Sequence, residues 1–231
     1  MKRFWQNALV TQAGEKFGVQ LDGRPVKLPS GKMLAVPGKA LAAAIAQEWA
    51  AAAQNFTPDD LPLTRLASTA QERVAANRDD IISQLAGYGM NDLLCYRAEA
   101  PESLVSHQSE AWDKWIVWAN DKHGFCLLTT IGIMPVNQLP WTRERLVQIL
   151  GGFNDYELAA LGVIVPALGS LILGLALAAG QVSAPEVCAA ALLDELWQEA
   201  QWGADDEAAL RRAKIIEDVA ICADFMALCG A

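Results

Sequence analysis

The chain has 231 residues, of which 53% are hydrophobic and 19% are charged, and its formal net charge is -9. This length is enough to bury a core, which excludes a mainly disordered protein. The negative charge repels phosphate backbones and argues against nucleic acid as a partner.

The beginning of the chain is predicted to form a small β-meander with one helix packed on it. The Asp22-Gly23 pair is a strong hairpin signal, because it accepts the positive φ values of a tight turn. The pattern changes at Pro37, after which residues 38–54 have helical spacing. Four short apolar runs precede that change, at Phe4 to Thr11, Phe17 to Leu21, Val26 to Leu28 and Met33 to Val36. We predict a mostly β N-terminal domain over residues 1–60.

The remainder of the chain, residues 61–231, is predicted to form a larger all-α domain. A short strand is predicted at residues 92–98. Helical patterns occupy residues 62–89, 101–122, 142–150, 154–164, 166–179, 184–201 and 206–228. The fold class predicted by this order is α+β, with the strands gathered at the start.

Residues 158–185 contain no charged side chain and are numerous enough to cross a bilayer. However, Pro166 divides the run, several glycines lower its hydrophobicity, and residues 146–210 contain no Lys or Arg that would set a topology. We therefore predict two buried helices, one of which ends before Pro166, and no membrane insertion. Small residues that would let a neighbouring helix approach closely recur every four positions, at Ser170, Gly174 and Ala178.

The cysteines predict neither a disulfide framework nor a zinc site, because they are widely spaced and form no C-x-x-C pair. They are interpreted as free thiols of a reducing compartment. The start of the chain, MKRFWQ, lacks both the apolar stretch of a secretory signal and the amphipathic lead of a transit peptide. These features together predict a cytoplasmic protein.

The sequence carries no motif for nucleotide, dinucleotide, hydrolase or zincin chemistry. Its two histidines are His107, in the early turns of the predicted long helix, and His123, beside Gly124 at the end of that helix. His123 is at the helix end, where a positive charge would suit the negative pole of the helix dipole. A structural role is the preferred interpretation of both, so we predict no catalytic residue, no cofactor and no metal site.

An acidic run at residues 205–207 follows Trp202 and Gly203. In a structural interpretation, Gly203 ends one helix, an aspartate caps the next, and Glu207 pairs with Arg211 at i, i+4. A pair of catalytic carboxylates would instead need a second set of groups converging on this run.

Charge is unevenly distributed along the chain. Residues 1–39 carry a net charge of +5, whereas residues 186–231 carry -7. This asymmetry suits a partner that has an asymmetric field of its own, although solvated helix faces produce the same pattern.

Seven segments, taken in order, resemble those of one protein family along nearly the whole chain. They are LDGRPVKLP, LAVP, EW, PLTRLASTA, DLLCYRA, GSLILGLALAAG and WQEAQWGADDEAALRR. They are similar to the assembly chaperones for the alpha subunit of the F-type ATP synthase catalytic sector, which occur in mitochondria and alphaproteobacteria. Ser68 departs from the usual Asn, and Lys114 from a frequent Pro. The resemblance implies a mostly β domain followed by a helical one.

The resemblance implies an ATP-independent chaperone that binds the unassembled alpha subunit, prevents its aggregation and hands it to the beta subunit. An unassembled subunit exposes the apolar surface of an obligate interface, which aggregates unless it is covered. A monomer is expected, located in the bacterial cytoplasm or, for eukaryotic relatives, in the mitochondrial matrix.

The family's functional acidic position corresponds to Glu207 in this sequence. Asp205, Trp202 and Arg211 belong to the same segment, and we predict that all four residues contact the client protein. The alternative prediction is a small-molecule enzyme of unknown reaction that uses the cluster formed by Asp205 and Glu207.

Overall fold

The computed structural model describes residues 1–229, and it divides the chain into two compact units. Unit 1 comprises residues 1–78, residues 154–160 and the chain from Ile221 onward. Unit 2 comprises residues 79–153 and 161–220. A boundary between folding domains after residue 60 stays a prediction of the sequence.

Unit 1 begins with an antiparallel sheet of three strands, β1 (Ala8–Ala13), β2 (Lys16–Leu21) and β3 (Arg24–Pro25). The predicted hairpin is confirmed, because Leu21 pairs with Arg24 across a two-residue turn. Its central residues, Asp22 and Gly23, have φ values of 47° and 79°. Positive φ at both positions is what a type I′ turn requires. The apolar runs predicted at residues 26–28 and 33–36 form only isolated bridges.

Two helices of unit 1 follow the sheet, α1 (Lys39–Ala51) and α2 (Pro62–Thr69). Helix α1 packs on strands β1 and β2 and buries Leu41 and Ile45 against them, which confirms the predicted helix on a meander. Helix α2 starts with Pro62, where the missing N–H of proline costs no hydrogen bond. It continues into a π-helical turn at Ala70–Val74.

The rest of the chain is mainly helical, as predicted. Its strands, β4 (Tyr96–Arg97) and β5 (Thr130–Ile131), form one short parallel pair. The helices are α3 (Arg78–Met90), α4 (Glu102–His123), α5 (Thr142–Gly151), α6 (Asp155–Leu168), α7 (Leu171–Ala178), α8 (Ala184–Ala191), α9 (Leu193–Trp202) and α10 (Asp206–Cys229). The α+β fold class is therefore confirmed.

Local signals account for the ends of α4. Glu102 occupies the first turn and Lys122 the last, so the charges of these two residues complement the helix dipole. Gly124 ends the helix in the left-handed conformation, with a φ of 71°, as a C-terminal glycine commonly does. The predicted end of this helix is confirmed.

Three boundaries differ from the prediction. Pro166 lies inside α6, which continues to Leu168, so the helix end predicted before Pro166 is wrong. Burial of Ile164 and Val165 beside it offsets the one hydrogen bond that a proline removes. The helix predicted at 184–201 breaks at Leu192, whose backbone leaves the helical region. The strand predicted at 92–98 begins instead as a 3-10 turn before β4.

Helix α7 is the most apolar part of the uncharged segment. Seven of its residues, from Leu171 to Leu177, are buried. The Ser170 hydroxyl caps it by accepting a hydrogen bond from the Leu173 backbone N–H at 3.1 Å. Among residues 1–229, no helix combines the length and the apolar character that crossing a bilayer requires.

Candidate partner-binding site

The predicted site residues lie in unit 2, where α9 ends and α10 begins. Helix α9 ends at Gly203, whose φ of 99° is a conformation that favours glycine. The side chain of Asp205 then starts α10, because its Oδ1 accepts hydrogen bonds from the backbone N–H groups of Glu207 (3.0 Å) and Ala208 (3.4 Å). The predicted aspartate cap is therefore confirmed, and Asp205 is the residue that forms it.

A nearly buried arginine joins the two helices. The side chain of Arg212 is 9% exposed, and its Nη1 lies 2.7 Å from Glu195 Oε1 while its Nη2 pairs with Glu199. Arg211 also pairs with Glu195. Although burial alone would raise it, hydrogen bonds from Arg212 and Arg211 hold the pKa of Glu195 below its usual range. These contacts hold the corner between α9 and α10 in one arrangement.

Glu207 lies outside this network. It is exposed and makes no ion pair or side-chain hydrogen bond within residues 1–229. The predicted pairing of Glu207 with Arg211 is wrong, because the Arg211 guanidinium is engaged by Glu195 of the neighbouring helix. The Glu207 carboxylate sits in the first turn of α10, where the helix dipole stabilises negative charge, and it is free to meet a partner.

Trp202 presents an apolar surface beside these charges. The residue is 76% exposed, and its ring meets Trp197 edge to face at a centroid distance of 6.2 Å. Trp202 and Asp205 line one side of a cavity of about 200 Å³. Sites for small molecules are usually larger, about 300–1,000 Å³, and more enclosed. An exposed indole next to carboxylates suits contact with another protein better than an enclosed reaction.

Arg212, Glu195 and Glu199 were not among the residues predicted for this site. A signal was present, since Glu195 and Glu199 are four residues apart on one face of α9 and two adjacent arginines follow the turn. The i, i+4 rule favours ion pairs within one helix, whereas in the structure these ion pairs join α9 to α10.

A larger cleft in unit 1, of about 710 Å³, is lined by three acidic residues, Glu48, Asp60 and Asp224. Glu48 accepts hydrogen bonds from the backbone N–H groups of Leu63 (2.6 Å) and Thr64 (3.0 Å), and burial raises its pKa. Asp60 accepts a hydrogen bond from the Thr57 backbone N–H at 2.7 Å. The carboxylates of Glu48 and Asp60 thus satisfy backbone donors at the start of a helical turn, which is a structural role.

His123 also has a structural environment. Its ring lies edge to face with Trp118 at 5.0 Å and stacks on Phe125 at 6.3 Å. Burial, then the charges of Lys122 and Arg145, lowers the pKa of His123, so the imidazole is disfavoured as a cation despite its place at the helix end. In the part of the chain that the structure describes, no group of three or more His, Cys, Asp or Glu side chains could hold a metal ion.

The fold is that of a mainly helical protein, and the corner between α9 and α10 exposes carboxylate and aromatic side chains to solvent. Residues 2–120 match the family model described as ATP12 chaperone protein. The chain is 30% identical over 220 residues to the mitochondrial protein atp12 of Schizosaccharomyces pombe, covering 90% of this chain and 75% of that protein. It therefore belongs to the ATP12 family of chaperones for assembly of the F1 sector of ATP synthase.

Solved structures agree with this assignment. The crystal structure of Atp12 from Paracoccus denitrificans is 38% identical and superposes with a TM-score of 0.94 over 98% of this chain and 97% of that one. A point mutant of the P. denitrificans protein, also 38% identical, superposes with a TM-score of 0.95 over 99% of this chain and 97% of the mutant chain. The predicted family and its assembly-chaperone function are confirmed.

Proposed function

We propose that this protein binds the unassembled alpha subunit of the ATP synthase catalytic sector as a monomer in the bacterial cytoplasm. The alpha subunit is held without any nucleotide-driven or catalytic step and is released to the beta subunit. Family membership supports an ATP synthase subunit as the client. The observation that carries the proposal is the exposed corner formed by Trp202 and the unpaired Glu207.

Passive holding follows from the energetics of obligate interfaces. A free subunit exposes a large apolar surface that would be buried in the complete assembly, and this surface drives aggregation. A chaperone that binds this surface more weakly than the beta subunit does keeps the alpha subunit in solution and then loses it by competition. Such an exchange needs no hydrolysis of ATP.

Each predicted contact residue has a distinct role in this proposal. Trp202 supplies the apolar anchor, a residue type that is enriched among dominant interface contacts. Glu207 and Asp205 supply negative charge that selects a basic patch on the client. Arg211 is paired with Glu195 and fixes the corner, so it acts by positioning the other three.

Exchanging the charge of Glu207 tests the assignment of this corner. We expect Glu207→Lys to weaken binding of the alpha subunit about tenfold or more and Glu207→Gln to weaken it less, because a buried like-charge contact costs more than a lost charge. Biolayer interferometry with the purified alpha subunit measures the dissociation constants of both variants. Glu102→Lys is the matched control, since Glu102 is also exposed in the first turn of a helix.

The control variant should bind like the wild type, and all three variants should keep their circular dichroism spectra and melting temperatures. If Glu207→Lys and Glu207→Gln both bind the alpha subunit with wild-type affinity, the corner between α9 and α10 is not the contact surface.

A further inference from the structure

A second surface of unit 2 has the opposite chemical character. Residues 124–141, which connect α4 to α5, contain no charged side chain. Three large apolar side chains stand out from this connection, with Ile131 67%, Ile133 92% and Met134 71% exposed. We call these three residues the loop tip. Single exposed apolar residues are ordinary on protein surfaces, whereas three within four consecutive residues are typical of a surface that another molecule covers.

The loop tip is presented by an ordered base. Gln138 is buried, and its side-chain amide makes two hydrogen bonds with Leu128, accepting from the backbone N–H at 2.8 Å and donating to the carbonyl at 3.0 Å. Strand β5 pairs with β4, and the Gly132 backbone N–H donates to the Arg97 carbonyl at 2.8 Å. The chain on both sides of the tip is therefore fixed, while the tip itself gains nothing from burial within the protein.

We propose that the loop tip is a client contact, and that its occupant is the neutral, apolar interface surface of the unassembled ATP synthase subunit. This inference rests on the proposed function. The acidic corner would supply polar selectivity, and the loop tip would cover apolar client surface. Methionine suits this task because its unbranched, polarisable side chain adapts to irregular surfaces.

The charges around the loop favour a protein as the occupant over an anionic membrane. Binding to anionic lipid uses Lys and Arg side chains beside the inserted apolar group. The arginines that follow the loop are engaged elsewhere, since Arg143 donates to the Ser83 hydroxyl at 2.8 Å and Arg145 donates to the His123 carbonyl at 2.6 Å. The net charge of -9 also opposes approach to an anionic surface.

The test is a double substitution at the loop tip, Ile133→Ser with Met134→Ser, in the full chain. Leu9→Ser with Met33→Ser is the matched control, because Leu9 and Met33 are 65% and 58% exposed on unit 1. Binding of the purified alpha subunit is measured by biolayer interferometry. We expect the tip variant to bind about tenfold more weakly or worse and the control to bind within about twofold of wild type.

Each outcome decides the proposal. Wild-type affinity in the tip variant overturns the proposal about the loop and leaves the proposed function intact. Failure of the wild-type protein to bind the alpha subunit overturns both. If the substitutions leave client binding intact but abolish self-association in sedimentation velocity, the occupant is a second copy of this chain. If they leave client binding intact but abolish binding to vesicles of phosphatidylcholine and phosphatidylglycerol, the occupant is a membrane. The proposal is wrong in both cases. The single substitution Ile133→Ser provides the same test if the double variant does not fold.

Discussion

Asp92 shows how a single carboxylate organises the centre of unit 2. The residue is fully buried, and its two oxygens accept hydrogen bonds from the backbone N–H groups of Leu94 (3.1 Å) and Ile172 (3.0 Å). Burial raises the pKa of Asp92 to about 6, against the opposing effect of these bonds and of Ser170. One side chain thus satisfies donors both in the turn before β4 and at the start of α7.

This environment predicts a pH dependence of stability. The folded protein holds the Asp92 proton more tightly than the unfolded chain does, because the pKa rises from 3.8 to about 6. The contribution of this site to the free energy of unfolding is therefore largest in acid and falls as the pH rises from about 4 through about 6. We expect Asp92→Asn to remove that dependence and to lower the free energy of unfolding by about 1–3 kcal/mol, because the amide NH₂ would face a backbone donor.

Urea unfolding of the wild type and the Asp92→Asn variant between about pH 4 and about pH 7 measures the free energy of unfolding and its pH dependence. Asp121→Asn is the control, because Asp121 is exposed, and it should change the free energy of unfolding by less than about 0.5 kcal/mol. Equal pH slopes in the wild type and the Asp92→Asn variant would contradict this account.

At the candidate site, the sequence could predict what local chemistry determines. The cap formed by Asp205 follows from rules for helix starts, which depend on residues two or three positions away. The partner of Arg211 could not be predicted in the same way. Two carboxylates compete for the Arg211 guanidinium: Glu207, four residues earlier on α10, and Glu195, on the neighbouring helix α9. The packing of the two helices selects Glu195.

At the scale of elements, the sequence predicted close helix packing at Ser170, Gly174 and Ala178, and the structure shows such packing at Gly174. A Cβ atom added at Gly174 would lie 2.9 Å from Val165 Cγ2 and 3.6 Å from Ile164 Cγ2. Helix α7 therefore approaches α6 as closely as a glycine permits. Ser170 serves a different purpose, because its hydroxyl caps α7.

Two matched glycine substitutions test this close approach. Gly174→Ala should lower the free energy of unfolding by about 1–3 kcal/mol, because α6 and α7 must move apart. Gly162→Ala in α6 should raise it by about 0.5–1 kcal/mol, because an added Cβ there meets no atom within 4 Å and alanine favours helix. Chemical denaturation compares the two variants with wild type. A stabilising effect of Gly174→Ala would show that the two helices have room between them.

The elements that were predicted well carry their signals within a few residues. The Asp22-Gly23 turn and the Gly124 helix end each depend on a backbone conformation that one or two residues determine. The pairing of β4 with β5 and the exposure of the loop tip depend on contacts distant in sequence, and neither was predicted. The helix end predicted before Pro166 was wrong because burial of the neighbouring side chains stabilises the helix by more than the proline destabilises it.

At the scale of the whole molecule, the structure shows where the apolar excess and the negative charge of the chain lie. The excess of apolar residues lies partly in a buried helix, α7, and partly in the exposed loop tip. The net charge of -7 over residues 186–231 includes carboxylates that are paired with Arg212 and the unpaired Glu207. We propose that the corner and the loop tip are two small, separate client contacts, from which a larger interface between subunits displaces the chaperone.

The central claim is that this protein holds the unassembled alpha subunit and yields it to the beta subunit without nucleotide hydrolysis. Size-exclusion chromatography with light scattering, on purified wild-type protein mixed with alpha subunit in the absence of ATP, tests it most directly. We predict a complex with one copy of each chain, from which added beta subunit displaces the chaperone. An alpha subunit that aggregates despite the chaperone, or a complex that only ATP hydrolysis dissociates, would contradict the account.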